Sequence, residues 1–369
     1  MRIALFDAAP HWSGGAARVA MCARGGRDAG HDVTVVCLPT SRLRAVAGRG
    51  VDVVTMRPCC DVDPFAALRI ARLARERRWQ VMDVHSPRFY WLCRYAARRT
   101  GAAFIITRNV RYRKRGIKRI INRHLYLACD RVVTVSDSVR RVLEEDFALP
   151  PGRAVTIHDG YDTAPIPEHD RQRHRVDVRR KYGFAMGDVV LAMVGRVDRN
   201  KAHDAAVAAV GCLHAAGVPV RLLAVGAVAD RRFAAAVSRA AVRLGVGDRV
   251  VFAGFAAEVR PFLCAADIIV SASRDEGISQ SVVQGVLAGV PFVVTDVGGY
   301  REVLPAECGV YVPPGDAAAL AGGVLQVLAA RKRYADAVAR VDRGVFSPER
   351  MVREYLAVYA EVCERRGGA

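Results

Sequence analysis

Short runs of apolar residues alternate with longer segments of helical periodicity along almost the whole chain, and this alternation constrains the fold more than any other feature. Most of the short runs are apolar throughout, which is typical of strands covered on both faces of a sheet. A repeated strand–helix order produces a parallel sheet with helices packed against it. In the first half of the chain, strands are predicted at residues 3–6, 33–38, 51–56, 81–84, 104–107, 131–135 and 154–157.

The alternation is interrupted by a polar segment, residues 158–175, with two prolines and no clear period. Within it, residues 164–175 are predicted to be an interdomain linker. The strand pattern then resumes at residues 189–194, 220–225, 250–253, 268–272, 292–295 and 310–312. A chain of 369 residues suits two domains of ordinary size. We therefore expect an α/β protein with two Rossmann-like parallel-sheet domains, 1–163 and 176–345, that face each other across a cleft. A C-terminal helix, 346–369, is expected to cross back to the first domain.

Composition narrows the class of protein further. No apolar run approaches the ~20 residues that a membrane-spanning helix needs, and the N-terminus MRIALFDAAP is typical of a strand rather than of a signal peptide. We therefore expect a cytoplasmic protein. The ten cysteines include no CxxC pair and no zinc-like spacing with histidine, which favours buried thiols and no metal. Asp61 and Asp63 resemble a DxD metal motif, but Asp63 directly precedes Pro64 and is better explained as the cap of a helix.

The net charge of +19 has a local component at residues 108–123, where no residue is acidic. Its eight cations are Arg108, Arg111, Arg113, Lys114, Arg115, Lys118, Arg119 and Arg123. Ile117, Ile120, Ile121 and Leu125 recur at helical spacing, so one face of this helix is expected to be buried and the other to be basic. The basic face is either simply solvated or meets an anionic membrane surface or an acidic acceptor. Nucleic acid is not expected, because Tyr112 is the sole aromatic residue among the cations.

Two segments that follow predicted strands contain the chemistry. In the first, Gly195 permits close approach of a ligand to the backbone, and Arg196 and Lys201 near a helix start suit phosphate. The alternative is a surface turn in a very basic protein. Neither a G-x-G-x-x-G nucleotide motif nor a P-loop motif occurs in the chain, which disfavours a nicotinamide cofactor.

In the second segment, Glu276 and Gly277 are predicted to form a turn before a helix that begins near Ser279. The free N–H groups at a helix start attract an anion, while Glu276 and Gln284 suit a ligand with hydroxyl groups. The alternative is a capped helix with a solvated glutamine.

Together these segments resemble the C-terminal half of retaining glycosyltransferases of the GT-B type. The resemblance extends over more than 120 residues, through Gly195-Arg196…Lys201, Gly254-Phe255, Asp275-Glu276-Gly277, Gly289-Val-Pro291, Gly298-Gly299 and Pro314-Gly315-Asp316. The N-terminal half is similar to the family more loosely, through Ser13-Gly14-Gly15, Asp83-Val84-His85 and Gly160-Tyr161.

The resemblance implies a role for each residue. Arg196 and Lys201 would neutralise the diphosphate of a nucleotide-sugar donor, and Glu276 would contact the transferred sugar. His85 would contact the donor sugar or act as a polar orienting group. Gly254 and Phe255 would lie near the base, and the remaining donor-binding residues would be Gly195 and the segment Gly277, Ile278, Ser279, Gln280, Ser281 with Gln284. Gly14, Gly15 and Trp12 would lie on the acceptor side. Two positions depart from the family pattern: Gln284 replaces the glutamate that holds the ribose, and Asp159 replaces an asparagine.

The expected activity is transfer of a hexose-type sugar, with retention, from a UDP- or GDP-linked donor to a hydroxyl of a lipid-linked or polysaccharide acceptor. This activity would belong to the biosynthesis of cell-envelope polysaccharide or lipopolysaccharide, at the inner face of the membrane if the basic face binds there. Two alternatives stay open: a GT-B-fold nucleotide-sugar epimerase or hydrolase, and a non-catalytic protein that binds an anionic surface and carries a degenerate donor site.

Overall fold

The computed structural model describes residues 1–10, 12–109 and 116–367, with Lys118 described only in its backbone. The chain divides into two compact units. Unit 1 comprises Met1–Asp162 and the residues from Gly344 onward, and unit 2 comprises Thr163–Arg343.

Unit 1 is built on seven parallel strands. These are β1 (Arg2–Asp7), β2 (Asp32–Cys37), β3 (Asp52–Thr55), β4 (Val81–Val84), β5 (Ala103–Arg108), β6 (Arg131–Thr134) and β7 (Ala154–Thr156). Its helices are α1 (Gly14–Asp28), α2 (Leu43–Val46), α3 (Pro64–Glu76), α4 (Pro87–Thr100), α5 (Ile117–Ala128), α6 (Asp137–Phe147) and, from the end of the chain, a helix over Pro348–Gly367.

The strand order of unit 1 is β3-β2-β1-β4-β5-β6-β7. One face of the sheet is covered by α3, α4, α5 and α6, and the other face by α1, α2 and the C-terminal helix. The order reverses between β1 and β4, so the carboxyl ends of these two strands flank the point at which open α/β sheets bind ligands.

Unit 2 repeats this plan with six parallel strands. These are β8 (Val189–Val194), β9 (Val220–Val225), β10 (Val250–Gly254), β11 (Ile268–Ser271), β12 (Phe292–Thr295) and β13 (Gly309–Val312). Its helices are α7 (Glu168–Lys181), α8 (His203–Ala215), α9 (Arg231–Arg243), α10 (Arg260–Ala265), α11 (Gln280–Leu287), α12 (Tyr300–Val303), α13 (Ala317–Ala329) and α14 (Arg331–Ala339). We number the C-terminal helix of unit 1 α15. The strand order is β10-β9-β8-β11-β12-β13, which places the ligand-binding point between β8 and β11.

All thirteen predicted strands are confirmed, with ends that differ by at most one residue. The predicted cap of α3 is also confirmed. Asp63 accepts hydrogen bonds from the backbone N–H groups of Phe65 and Ala66, each at 3.0 Å, and Pro64 occupies the first turn. Helix capping therefore accounts for Asp63, one of the two aspartates of the DxD-like pair.

The predicted linker is wrong from Glu168 onward, because α7 begins there and belongs to unit 2. This helix attaches through arginines rather than through an apolar stripe, which is why its sequence has no apolar period. Arg175 and Arg179 each donate to Asp267 at 2.7 Å. Burial alone would raise the pKa of Asp267, but the Val190 N–H and these two arginines lower it, so the carboxylate stays charged.

The predicted buried face of α5 is also wrong. Leu125 is buried, but Ile117, Ile120 and Ile121 have exposed fractions of 66%, 57% and 45%. Of the basic stretch, Arg108 is buried in unit 1 rather than presented on a basic face, and residues 110–115 lie outside the described part of the chain. Within the described residues, no helix is both long and apolar enough to cross a membrane.

Candidate functional site

The carboxyl ends of three neighbouring strands in unit 2 are joined through glycines. The Gly195 N–H donates to the Val225 carbonyl at 2.9 Å, and the Gly226 N–H donates to the Gly254 carbonyl at 2.8 Å. A Cβ atom on Gly226 would lie 1.9 Å from the Gly195 carbonyl oxygen, so a larger residue cannot fit there. Gly226 was not singled out in the sequence, although a glycine directly after a buried strand is the signal for such a close approach.

The loop after β8 folds back and places the Lys201 side chain over Gly195. The Lys201 N–H donates to Asp198 Oδ1 at 2.9 Å, and the side chain of Lys201 is 17% exposed. The following residue, Ala202, has a left-handed backbone with φ of +54°. This conformation costs an alanine about 1 kcal/mol, a strain that the surrounding loop sustains.

A second loop, between β11 and α11, is tied to the first by Asn200. Asn200 Nδ2 donates to the Asp275 carbonyl at 2.8 Å, and the Arg274 N–H donates to the Asn200 carbonyl at 2.8 Å. Two hydrogen bonds therefore join the loops, although they lie more than 70 residues apart in the sequence. Asn200 is a further residue that sequence reasoning missed.

Lys201 and Glu276 meet where these two loops approach each other. Lys201 Nζ donates to Glu276 Oε1, and the Glu276 side chain is 12% exposed. The same Oε1 accepts a hydrogen bond from Ser273 Oγ at 2.8 Å. Lys201, the predicted phosphate-binding residue, and Glu276, the predicted sugar-binding residue, thus form one ion pair with little exposure to solvent.

A buried chain of hydroxyl groups stands behind Glu276. Tyr300 Oη lies 2.9 Å from Ser271 Oγ, which lies 3.2 Å from Ser273 Oγ. Because Ser273 donates its proton to Glu276, its oxygen must accept from Ser271, whose oxygen then accepts from Tyr300. Burial raises the pKa of Tyr300, and the charge of Glu276 adds to this, so the hydroxyl remains a donor. Sequence reasoning missed this chain.

The start of α11 is fixed against the same strand ends. Ser281 Oγ donates to the Val194 carbonyl at 2.8 Å and lies 3.1 Å from Ser279 Oγ. Behind the turn, the Gly299 N–H donates to the Gly277 carbonyl at 2.7 Å. The predicted helix start near Ser279 is confirmed. Its first N–H groups therefore lie beside the Lys201–Glu276 pair, an arrangement that suits an anion next to a hydroxyl-rich group.

The other predicted residues of unit 2 lie around this centre. Arg196 is 70% exposed at its side chain and lies 3.3 Å from Asp198. Phe255 follows β10 and is 57% exposed, which leaves its ring accessible. Gln284 is half-buried on α11.

His85 is the predicted donor-side residue of unit 1. It follows β4 in unit 1, its side chain is fully buried, and Nε2 lies 3.3 Å from Asp83 Oδ2. Asp83 also accepts from Thr107 Oγ1 at 2.8 Å and from Tyr359 Oη at 2.6 Å. Burial would raise the pKa of Asp83, but His85 and these hydroxyls lower it. His85 is therefore packed between β4 and Tyr355 of α15, and its role, as a donor-sugar contact or as a polar orienting group, stays a prediction.

The glycine loop of unit 1 opens α1, whose cap is Ser13. Trp12 is half-buried against the core, and a Cβ atom on Gly15 would lie 2.8 Å from Asn109 Nδ2. The second departure from the family pattern has a physical account here. Arg18 is buried on α1 and pairs with Asp159, so a carboxylate at this position neutralises a buried cation.

Comparisons with known proteins bear on both units. Residues 12–165 match the family model "Glycosyltransferase Family 4", and residues 188–330 match the model "Glycosyl transferases group 1". The chain belongs to the GT-B glycosyltransferases. The two family models together cover most residues of each unit.

This glycosyltransferase has curated relatives and solved neighbours. It is 28% identical to a D-inositol 3-phosphate glycosyltransferase of Geodermatophilus obscurus, over 82% of this chain and 66% of that protein. It is 32% identical to the lipopolysaccharide core biosynthesis glycosyltransferase LpsE of Rhizobium meliloti, over 47% of this chain and 49% of that protein. The chain spans between 39% and 66% of the length of the curated relatives that it matches.

The crystal structure of Anabaena HepE with UDP and glucose superposes with a TM-score of 0.85 at 16% identity, over 98% of this chain and 99% of that one. This likeness confirms the predicted fold of two Rossmann-like domains of the GT-B type.

Proposed function

We propose that this glycosyltransferase transfers a hexose-type sugar from a UDP- or GDP-linked donor to a hydroxyl of a lipid-linked or polysaccharide acceptor. The observation that carries the proposal is the contact of Lys201 with Glu276 beside the start of α11. In a nucleotide sugar the diphosphate and the sugar hydroxyls are directly adjacent, so one cation and one carboxylate in contact suit that junction. Solved neighbours that bind UDP and glucose, and a relative in lipopolysaccharide core biosynthesis, support the donor and acceptor classes.

Each group has a proposed task. Lys201, Arg196 and the N–H groups of residues 277–281 would stabilise the negative charge that develops on the leaving diphosphate. Glu276 would accept hydrogen bonds from sugar hydroxyls. Phe255 and Gly254 would receive the base, and Gln284 would hold the ribose through a neutral amide instead of a carboxylate. Gly14, Gly15 and Trp12 would border the acceptor.

We propose retention by front-face displacement. The bond from the anomeric carbon to the phosphate oxygen breaks, the acceptor oxygen bonds to the same face, and the acceptor proton passes to a phosphate oxygen. The protein then contributes chiefly electrostatic stabilisation of the leaving group. Anomeric proton couplings of the product, measured by NMR at early reaction times, distinguish retention from inversion.

The donor site is tested by thermal-shift titration with UDP, GDP, ADP and NAD. A ligand that binds the folded state alone raises the unfolding temperature, and the stabilisation grows with the logarithm of its concentration divided by its Kd. We expect UDP or GDP to stabilise the native chain and Lys201→Ala to abolish the shift. Lys332→Ala, an exposed lysine on α14, is the matched control and should behave as the native chain does. If Lys201→Ala responds like the control, the proposed site is wrong.

Incubation of the donor without acceptor separates transfer from the two acceptor-free activities, because an epimerase or hydrolase would change or release the sugar alone. Attachment of the basic stretch of residues 108–123, within which Arg108 is buried, to the inner face of a membrane is part of the same proposal. The exposed Ile117, Ile120 and Ile121 of α5 support it.

A further inference from the structure

A cluster of exposed apolar side chains lies on unit 1 where α3 begins. Val62, Phe65 and Leu68 have exposed fractions of 67%, 82% and 53%, and Tyr95 on the neighbouring helix α4 is 39% exposed. Phe65 and Leu68 are one turn apart on α3, so they share one face of the helix. Single exposed apolar residues are ordinary on protein surfaces, but a contiguous group of large ones marks an interaction surface.

Val62, Leu68 and Tyr95 border an open groove of about 260 Å³ between the two helices. It is lined by Pro64, Ala67 and Leu68 from α3 and by Trp91, Leu92 and Tyr95 from α4. The opposite face of α3 is already buried in the core through Ala66, Ile70 and Ala74. Ala67 and Leu92 at the groove belong to that same core, whereas Leu68 and Tyr95 present apolar surface to solvent.

The surroundings of the groove are strongly basic. The segments PFAALRIARLARE and PRFYWLCRYAARRT of α3 and α4 contain seven arginines and one carboxylate, Glu76. Arg72, with a side chain 79% exposed, pairs with this glutamate at 2.7 Å. The guanidinium of Arg94 lies 5.6 Å from the centre of the Trp91 ring. Aromatic and aliphatic side chains bordered by arginines match the acyl chains and headgroups of an anionic leaflet.

We propose that this α3–α4 surface docks unit 1 on an anionic lipid bilayer. Phe65 and Leu68 insert among the acyl chains, and the arginines of both helices lie at the level of the headgroups. The surface continues onto α5, because Arg94 Nη1 donates to the His124 carbonyl at 2.8 Å and the exposed isoleucines of α5 follow.

The position of the surface bears on where the acceptor is met, and this one point rests on the proposed function. Both α3 and α4 begin at the carboxyl edge of the unit 1 sheet, the edge at which open α/β sheets bind their ligands. A bilayer docked there holds that edge at the membrane, where a lipid-linked acceptor resides.

The test is co-sedimentation of the full chain with mixed phosphatidylglycerol–phosphatidylcholine vesicles and with pure phosphatidylcholine vesicles, at low and high salt. We expect binding to the anionic vesicles alone, weakened by salt. The double variant Phe65→Ser/Leu68→Ser should bind at least about tenfold less, because both apolar anchors are lost. Met186→Ser/Val242→Ser is the matched control, since these side chains are 95% and 71% exposed in unit 2. It should bind as the native chain does.

Three results would overturn the proposal: no binding of the native chain to anionic vesicles, equal binding by the Phe65/Leu68 variant, or an equal loss in the control. Sedimentation velocity detects the other occupant, a second copy of the chain. A dimer that the Phe65/Leu68 variant dissociates, with no vesicle binding, would assign the surface to self-association. Thermal-shift titration with UDP on every variant keeps the two proposals apart, because docking can fail while nucleotide binding persists.

Discussion

Replacement of Gly298 by alanine should disable the site without touching a charged group. Gly298 has a left-handed backbone with φ of +66°, and a Cβ atom built on it would lie 2.1 Å from the Glu276 carbonyl oxygen. Real Cβ atoms essentially never approach another heavy atom within 3.0 Å, so the turn at Glu276 and Gly277 must move by about 0.9 Å or more. That turn carries the carboxylate that Lys201 contacts and leads into the start of α11.

The magnitude has two parts. Left-handed backbone costs an alanine about 1 kcal/mol, and a steric clash in a packed site adds about 1–3 kcal/mol. Gly315→Ala isolates the first part, because Gly315 has φ of +81° and no described atom lies within 4 Å of its added Cβ. We therefore expect Gly315→Ala to lose about 1 kcal/mol of unfolding free energy, and Gly298→Ala about 2–4 kcal/mol.

The functional consequence should be larger than the loss of stability. A misplacement of about 1 Å in a positioned group can reduce a rate roughly 100-fold. Urea unfolding gives the stability of each variant, and calorimetric titration with UDP, together with turnover of the donor sugar, gives its function. We expect Gly298→Ala to lose nucleotide affinity and turnover at temperatures where it is folded, and Gly315→Ala to keep both. Equal affinity and turnover in the two variants would refute the argument.

Two further predictions concern buried side chains of unit 2. Tyr300→Phe removes the last donor of the hydroxyl chain behind Glu276, so the KM for the nucleotide sugar should rise about 3–10-fold while UDP affinity and kcat change little. Tyr311→Phe, which removes a single hydrogen bond to the Leu304 carbonyl, should leave that KM unchanged, and a rise in both variants would contradict the assignment. His203 is fully buried, and neither ring nitrogen has a hydrogen-bond partner among the described residues; burial lowers its pKa to about 4. The unfolded chain therefore takes up a proton at His203 at a higher pH than the native chain does. Between pH 7 and pH 5 the native chain should lose about 2 kcal/mol more unfolding free energy than His203→Phe, as urea titrations at the two pH values would measure.

The strands were predictable because their signal is local. The central strands of both sheets are buried on both faces, so a short apolar run marks each of them without reference to the rest of the chain. The two wrong predictions, the linker at α7 and the buried face of α5, depend on contacts that give no local signal in the sequence. The α7 helix packs through Arg175 and Arg179 on Asp267, whose position 88 or more residues later in the chain gives no local signal. In α5 the isoleucine spacing predicted the right secondary structure, but periodicity alone does not say whether a neighbour covers an apolar face.

The candidate site likewise contains residues with a local sequence signal and residues without one. The loops after β8 and β11 were identified because each carries glycine and charged residues directly after a strand, and the strand order brings those two ends together. Asn200, which joins the loops, and Tyr300, which ends the hydroxyl chain, were not identified, because their partners Asp275 and Ser271 are distant in the sequence. His85 shows the converse, since its position after β4 was predicted correctly and its burial beside Asp83 was not.

The contact between Lys201 and Glu276 explains why the hydroxyl chain behind Glu276 should matter for sugar binding. Without a ligand, Glu276 is held from two sides, by Lys201 Nζ and by Ser273 Oγ. In the proposed donor complex, a diphosphate that takes over Lys201 would remove one of these contacts and would leave a nearly buried carboxylate with Ser273 and the sugar hydroxyls as its donors. An incompletely bonded buried carboxylate is costly, so the orientation of Ser273 matters most when the donor is bound. Because Ser271 and Tyr300 fix that orientation, their removal should be felt in the binding of the sugar and much less in the binding of UDP alone.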